Sequence, residues 1–270
     1  MAVKIAHPHE VKAIARAKIK TDERDSEVLA HLLRMNMVPE VYRRSRENRQ
    51  AQRVLRQRAF YVSAMTALKN RVYAFLAQQR EEVREEVARE TNIFSERGRK
   101  RLLGLALTGD EKRRLEALLK TYRHLETRIG ESAALIEKLY EESREAQLIR
   151  TIPGLGKHLA VLVAVETAEI TRFADAAHLH AYAGVIPSTH SSGDRTHHGK
   201  IVRAGNRWLR WAAVEAVWPG IRADFDLRCF YERLARAKGA NKAKVAMARR
   251  LLAIIYKVWK EGRNYMAYRR

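Results

Sequence analysis

The chain has 270 residues, enough for one large or two small domains that each bury a core, and its 46% hydrophobic and 31% charged residues are a globular composition. Against 31 Asp and Glu it carries 53 Lys and Arg, a net charge of +22, which favours a polyanion such as DNA or RNA over a membrane surface because each neutralised phosphate releases condensed counterions. No apolar run approaches the roughly 20 residues that span a bilayer; no apolar signal segment opens the chain; and Cys229 stands alone, which excludes a disulfide framework and a thiolate zinc site.

Val3 to Ala6 reads as a short strand closed by His7-Pro8, and it needs a pairing partner elsewhere in a fold. Helical stretches follow from Glu10 to Ala17 and from Thr21 to Leu33. A long helix is predicted over Ser45 to Gln79, where Tyr61, Met65, Leu68, Val72 and Phe75 alternate steps of four and three. A second begins at Thr108-Gly109-Asp110-Glu111, the pattern of a capping box. Leu115, Leu118, Tyr122, Leu125, Ile129, Ile136 and Leu139 continue its seam, interrupted by Ser132. These two helices, separated by Glu81 to Leu107, form an antiparallel coiled-coil arm or a dimerisation surface, or else a bundle packed within one subunit.

From Leu148 onward the chain reads as a mostly helical domain. Gly154 and Gly156 lie one residue apart between an apolar stretch and the run Leu159 to Val165, as in a helix-hairpin-helix. Glycines there permit φ > 0 or a close phosphate, and the next helix offers its N-terminal amides. A helix near Ala174 to Ala183, a polar loop, and helices near Val202 to Val217, Phe225 to Ala237 and Lys242 to Glu261 follow, with Trp218-Pro219-Gly220 and Gly239 as breaks.

Four groups could carry chemistry. Asp22 and Asp25, three apart at a helix start, share a face and could reach one Mg²⁺; by spacing alone they equally serve as dipole partners. Ser191 and Ser192 precede Gly193, with Arg195, Lys200, Arg203, Arg207 and Arg210 close behind, so a serine could attack a phosphodiester that these cations clamp, or the cations only position DNA. His178, His180, His190, His197 and His198 match no standard metal-ligand spacing. Arg43, Arg44, Arg46, Arg49, Arg53, Arg56 and Arg58 form a basic tract, either a solvated helix face or a nucleic-acid contact.

Several of these segments resemble a known family. Thr151-Ile152-Pro153-Gly154-Leu155-Gly156, Phe173, Tyr182 to Ser188, Ser191-Ser192-Gly193 and Gly205-Asn206-Arg207-Trp208-Leu209-Arg210 are similar to the C-terminal domain of the DEDD transposases, insertion-sequence recombinases related to the Piv pilin invertase. Ala6-His7-Pro8 and Lys18 to Asp25 resemble the end of that family's RuvC-like nuclease domain. The fold implied is mainly α: residues 1–42 a remnant of a RuvC/ribonuclease-H-like domain, 43–147 a coiled-coil helical region, and 148–270 a C-terminal domain with the helix-hairpin-helix and serine loop.

The function the resemblance implies is a transposase or site-specific DNA recombinase with a composite active site. Ser192, or Ser191 as the alternative nucleophile, would form a phosphoserine link, while Asp22 and Asp25, matching the last two acids of the tetrad, would hold Mg²⁺. The tetrad's other acids lie on strands upstream of the matched residues, so the resemblance also implies an incomplete metal site in this chain. The DNA-binding residues are then Gly154, Gly156, Lys157, Arg195, Lys200, Arg203, Asn206, Arg207 and Arg210. Expected partners are DNA, a structured guide RNA and further copies of the chain, as dimer or tetramer, in the prokaryotic cytoplasm and on the nucleoid. The alternative is a non-catalytic DNA- or RNA-binding protein using the hairpin and the basic helices.

Overall fold

A computed structural model describes residues 4–6, 10–11, 21–192, 195–201 and 205–266, with the backbone alone for 189–192 and 195–201. The described residues are mainly helical, and the chain divides into two units, Met1–Arg49 and Gln50–Arg270.

In the first unit, Ile5 and Ala6 find the partner that a lone strand requires. Ala6 forms an antiparallel bridge with Glu40, Val41 donates to the Ile5 carbonyl at 2.7 Å, and Lys4 pairs with Glu40 at 2.5 Å. Glu10 and Val11 are helical; the rest of the helix expected to Ala17 lies outside the described residues. Helix α1 (Asp22–Arg34) starts where a capping threonine predicts, the Thr21 hydroxyl accepting from the Arg24 amide at 3.3 Å. Asp22, Glu23 and Asp25 occupy its first turn, where negative charge complements the helix dipole.

Helix α2 (Arg46–Ala77) crosses the division in its first turn and continues through the second unit. Two short helices, α3 (Glu81–Ala88) and α4 (Glu96–Gly104), lead to α5 (Gly109–Glu142). The capping box of α5 is complete: Glu111 donates its amide to the Thr108 hydroxyl and its carboxylate accepts from the Thr108 amide. Met65, Val72 and Phe75 of the first seam and Leu115 and Tyr122 of the second share one buried cluster with Val83, Phe94, Leu102 and Leu119, which stands one residue off the expected seam position Leu118. These stretches of the two long helices therefore share a core with the short helices within the chain, while Ile136 of the second seam packs in a separate core.

The remaining helices enclose a second core. They are α6 (Arg144–Arg150), α7 (Lys157–Thr167), α8 (Ala176–Ala183), α9 (Arg207–Glu215), α10 (Val217–Ala223), α11 (Phe225–Lys238) and α12 (Ala240–Glu261). Ile149, Leu162, Leu179, Leu209, Met247, Leu251, Leu252 and Ile255 are fully buried there. Helix α12, at 22 residues the longest of this group, packs on α6, α8, α9, α10 and α11, so it is the axis of the domain.

Two expectations are corrected. The segment read as a polar loop is an antiparallel hairpin, β1 (Pro187–Ser192) and β2 (Arg195–Ile201), with Thr189 opposite His198 and Ser192 opposite Arg195. Its strands lack the apolar alternation that marks a half-buried strand, so periodicity gave no signal. Trp218-Pro219-Gly220 does not break the helices but forms part of α10, where Pro219 sits in the first turn and the missing amide costs nothing.

Candidate functional site

The hairpin is tied at its root. Gly184, in the left-handed region at φ 69°, ends α8, and Gly205 follows the hairpin. A Cβ at Gly205 would lie 2.3 Å from the Gly184 nitrogen, so the backbones on either side of β1–β2 touch. Across the same junction the Asn206 amide donates to the Tyr182 carbonyl at 2.6 Å.

Beneath this root lies Glu166, in the last turn of α7 and fully buried. Its Oε2 accepts from Asn206 Nδ2 at 2.8 Å and from Gln52 Nε2 at 2.9 Å, and its Oε1 accepts from Arg56 Nη2 at 3.2 Å. The Tyr182 hydroxyl donates to the Glu166 carbonyl at 3.3 Å and accepts from Asn206 Nδ2 at 3.2 Å. The Tyr182 ring in turn lies 4.3 Å from the Arg172 guanidinium. A carboxylate without water and without donors would cost several kcal/mol, so this convergence explains how Glu166 is tolerated in an apolar core.

Asn206 has a second task. Its Oδ1 caps α9, accepting from the amides of Trp208 and Leu209 at 3.0 and 3.1 Å. Both ends of the side-chain amide are thus engaged inside the protein.

The other predicted residues are placed as follows. The backbones of Ser191 and Ser192 form the C-terminal end of β1, and those of Arg195 and Lys200 lie in β2. Gly193 and Arg203 lie outside the described residues. Arg207 is exposed, its guanidinium 5.1 Å from the Trp208 ring, and Arg210 reaches the Ala183 carbonyl at 3.4 Å.

The two turn glycines divide their roles. Gly154 has φ 91°, and a Cβ there would meet the Ala216 carbonyl oxygen at 2.2 Å, so it is required by packing on α10. Gly156 caps α7 with ordinary φ, and a Cβ there would meet nothing. The open side at Gly156 faces a shallow depression bordered by Arg150, Thr151, Lys157 and His158. Lys157 is ion-paired with Glu137 and lies 5.2 Å from the Tyr140 ring. His158 is partly buried, its Nδ1 unpartnered among the described residues, and burial with the Arg58 charge pushes its pKa down to about 4.

Asp22 and Asp25 are both exposed on the first turn of α1. Among the described residues no third acid, histidine or cysteine joins them in a group that could hold a metal ion. Two carboxylates on one helix face fall short of the oxygen set that Mg²⁺ takes from a protein and its substrate together.

Sequence reasoning missed Glu166 and Gln52 and saw Arg56 only as one of a basic tract. The available signal was slight: Glu166 is a single acid closing the apolar run Leu159 to Val165, and its partners lie in distant segments.

Comparison with known proteins bears on these same segments. A family model described as "Transposase IS116/IS110/IS902 family" matches residues 146–232, and a DEDD transposase model matches residues 1–80. Together they cover more than half of the chain. The chain is 32% identical over 133 residues to an insertion element IS110 uncharacterized protein of Streptomyces coelicolor, covering 49% of this chain and 33% of that protein. It is 25% identical over 272 residues to the transposase for insertion sequence element IS1111A of Coxiella burnetii, covering 96% of this chain and 71% of that one. A pilin gene-inverting protein of Moraxella bovis is 31% identical over 137 residues, 48% of this chain and 42% of its own. The chain thus spans about a third of the Streptomyces protein and less than half of the Moraxella one. Transposase models match a segment in each half of the chain and insertion-sequence proteins recur among its relatives, so the chain is similar to the IS116/IS110/IS902 and DEDD transposases.

Proposed function

We propose that the chain acts as a DNA recombinase of an insertion sequence, with Ser192 at the end of β1 as nucleophile and Ser191 as the alternative. The observation that carries this reading is the serine-bearing hairpin, inside the segment matched by the transposase family and tied at its root by Gly184, Gly205 and Asn206. The serine hydroxyl gives up its proton and its oxygen forms a bond to phosphorus as the phosphorus bond to one sugar oxygen breaks. The departing sugar oxygen takes up a proton, so the strand end is a hydroxyl and the other end stays on the protein. Reversal by a different strand's hydroxyl rejoins DNA with no external energy source.

Arg195, Lys200, Arg203, Arg207 and Arg210 are the cations this reading assigns to the phosphodiester and the charge that develops on it. The α6–α7 turn contacts the DNA backbone from its open side at Gly156, where the first amides of α7 are available to a phosphate. Asp22 and Asp25 are the acids this reading assigns to Mg²⁺. Because the described residues offer only these two, no step is routed through the ion. A structured guide RNA and a dimer or tetramer complete the proposed assembly, and the net charge of +22 suits two nucleic-acid partners.

The test is trapping on a supercoiled plasmid that carries the DNA flanking the chain's own gene, with the transcript of that flank added. A covalent protein–DNA adduct that maps to Ser192 supports the reading. Salt-sensitive binding without any adduct supports instead a non-catalytic nucleic-acid-binding protein.

A further inference from the structure

Glu166 stands at the wrong end of its helix for a carboxylate. The C-terminal turn of α7 carries the negative end of the helix dipole, and full burial removes water, so position and burial both oppose a negative side chain there. An apolar residue of similar size would serve the core as well or better. What Glu166 provides is a geometry: its acceptors draw together Gln52 and Arg56 of α2 and Asn206 of the hairpin root. Tyr182, on the other side of the hairpin, closes the circuit by donating to the Glu166 backbone and accepting from Asn206. The chain leaves this circuit after Tyr182, makes β1 and β2, and re-enters it at Asn206.

We propose that Glu166 is a positioning residue: its carboxylate, acting through Asn206 and Tyr182, locks the root of the β1–β2 hairpin and so fixes where the serine-bearing strand is held on the helical domain. This rests on the reading of that hairpin as the carrier of the nucleophile. The lock itself makes no contact with DNA and is measurable without any reaction.

Amide hydrogen exchange of the full chain reads it directly. Glu166→Gln keeps the size but removes the charge and one of the two acceptor oxygens, so an NH₂ group faces either the Arg56 guanidinium or the Gln52 and Asn206 amides and the charge-assisted bonds weaken; exchange over residues 184–206 rises at least about threefold while that of α12 is unchanged. The reciprocal pair, Glu166→Gln with Asn206→Asp, restores a donor facing an acceptor and keeps an oxygen for the α9 cap, so exchange returns to within about twofold of the starting protein. Tyr182→Phe removes a single hydroxyl, raises the same exchange about threefold, and serves if Glu166→Gln does not fold. Unchanged exchange in Tyr182→Phe and Glu166→Gln, or no recovery in the reciprocal pair, overturns the lock. Adduct yield measured in parallel falls in Glu166→Gln and recovers in the pair; a yield that stays level while exchange rises overturns the positioning role. If the unaltered chain forms no adduct while exchange behaves as described, the nucleophile reading fails and the lock stands.

Discussion

Glu166 and Asn206 lie forty residues apart in the chain, and their side chains meet at 2.8 Å in the interior. Between them the chain builds α8 and the serine hairpin, so this single hydrogen bond closes the loop that carries the proposed chemistry. Removing the acceptor altogether is expected to be costly. Glu166→Ala leaves the Gln52 and Asn206 amides and the Arg56 guanidinium facing a void, and the chain should lose about 3–5 kcal/mol in urea unfolding.

The turn glycines should respond unequally to the same substitution. Gly154→Ala places a methyl group 2.2 Å from the Ala216 carbonyl at φ 91°, so α10 must move, and a loss above about 3 kcal/mol is expected. Gly156→Ala meets open space at an ordinary φ and should cost no more than about 1 kcal/mol, the difference between glycine and alanine at an N-cap. Thermal unfolding of the two variants side by side checks this. Equal losses would contradict the assignment of Gly154 to packing and Gly156 to an open surface.

Acidification should destabilise the chain through His158. Its folded pKa is about 4, below the unfolded value near 6.5, because burial and the Arg58 charge disfavour the imidazolium. The unfolded state therefore binds more protons between these values, and the neutral form's contribution is present above about pH 6.5 and lost as pH falls through about 4. With partial solvent access the effect is discounted to about 1–2 kcal/mol. His158→Gln should flatten the unfolding free energy measured over that range, and an unchanged pH slope would contradict the assignment to this ring.

Much of this fold was legible in the sequence, and the exceptions have physical causes. The α5 start was readable because Thr108 and Glu111 are a local signature whose partners are three residues apart. The α2 and α5 seams were readable because an apolar stripe at steps of three and four is a property of the helix itself. The β1–β2 hairpin was not, since Thr189-His190-Ser191-Ser192 and Arg195-Thr196-His197-His198 carry no apolar alternation. Pro219 misled because proline was read as a breaker, although α10 places it in a first turn. The Glu166 circuit could not be read locally at all: Gln52 and Arg56 lie 114 and 110 residues away.

DNA binding should be strongly salt-dependent, with separable contributions. Arg207 is exposed on the first turn of α9, so Arg207→Ala is expected to lower the slope of log affinity against log salt by about one unit. Lys157, already paired with Glu137, should contribute less, and Lys157→Ala should change the slope by about half as much or less. Filter binding at four or more salt concentrations measures both. A larger change for Lys157→Ala than for Arg207→Ala would place the phosphate contacts on the α6–α7 side instead.

Covalent trapping on the supercoiled plasmid is the most direct measurement of the proposed chemistry. The predicted result is a protein–DNA adduct, mapped by peptide sequencing to Ser192, lost in Ser192→Ala and retained in Ser191→Ala. An adduct that persists when both serines are replaced by alanine, or no adduct from the unaltered protein with the flanking DNA and its transcript present, would contradict a serine nucleophile on this hairpin.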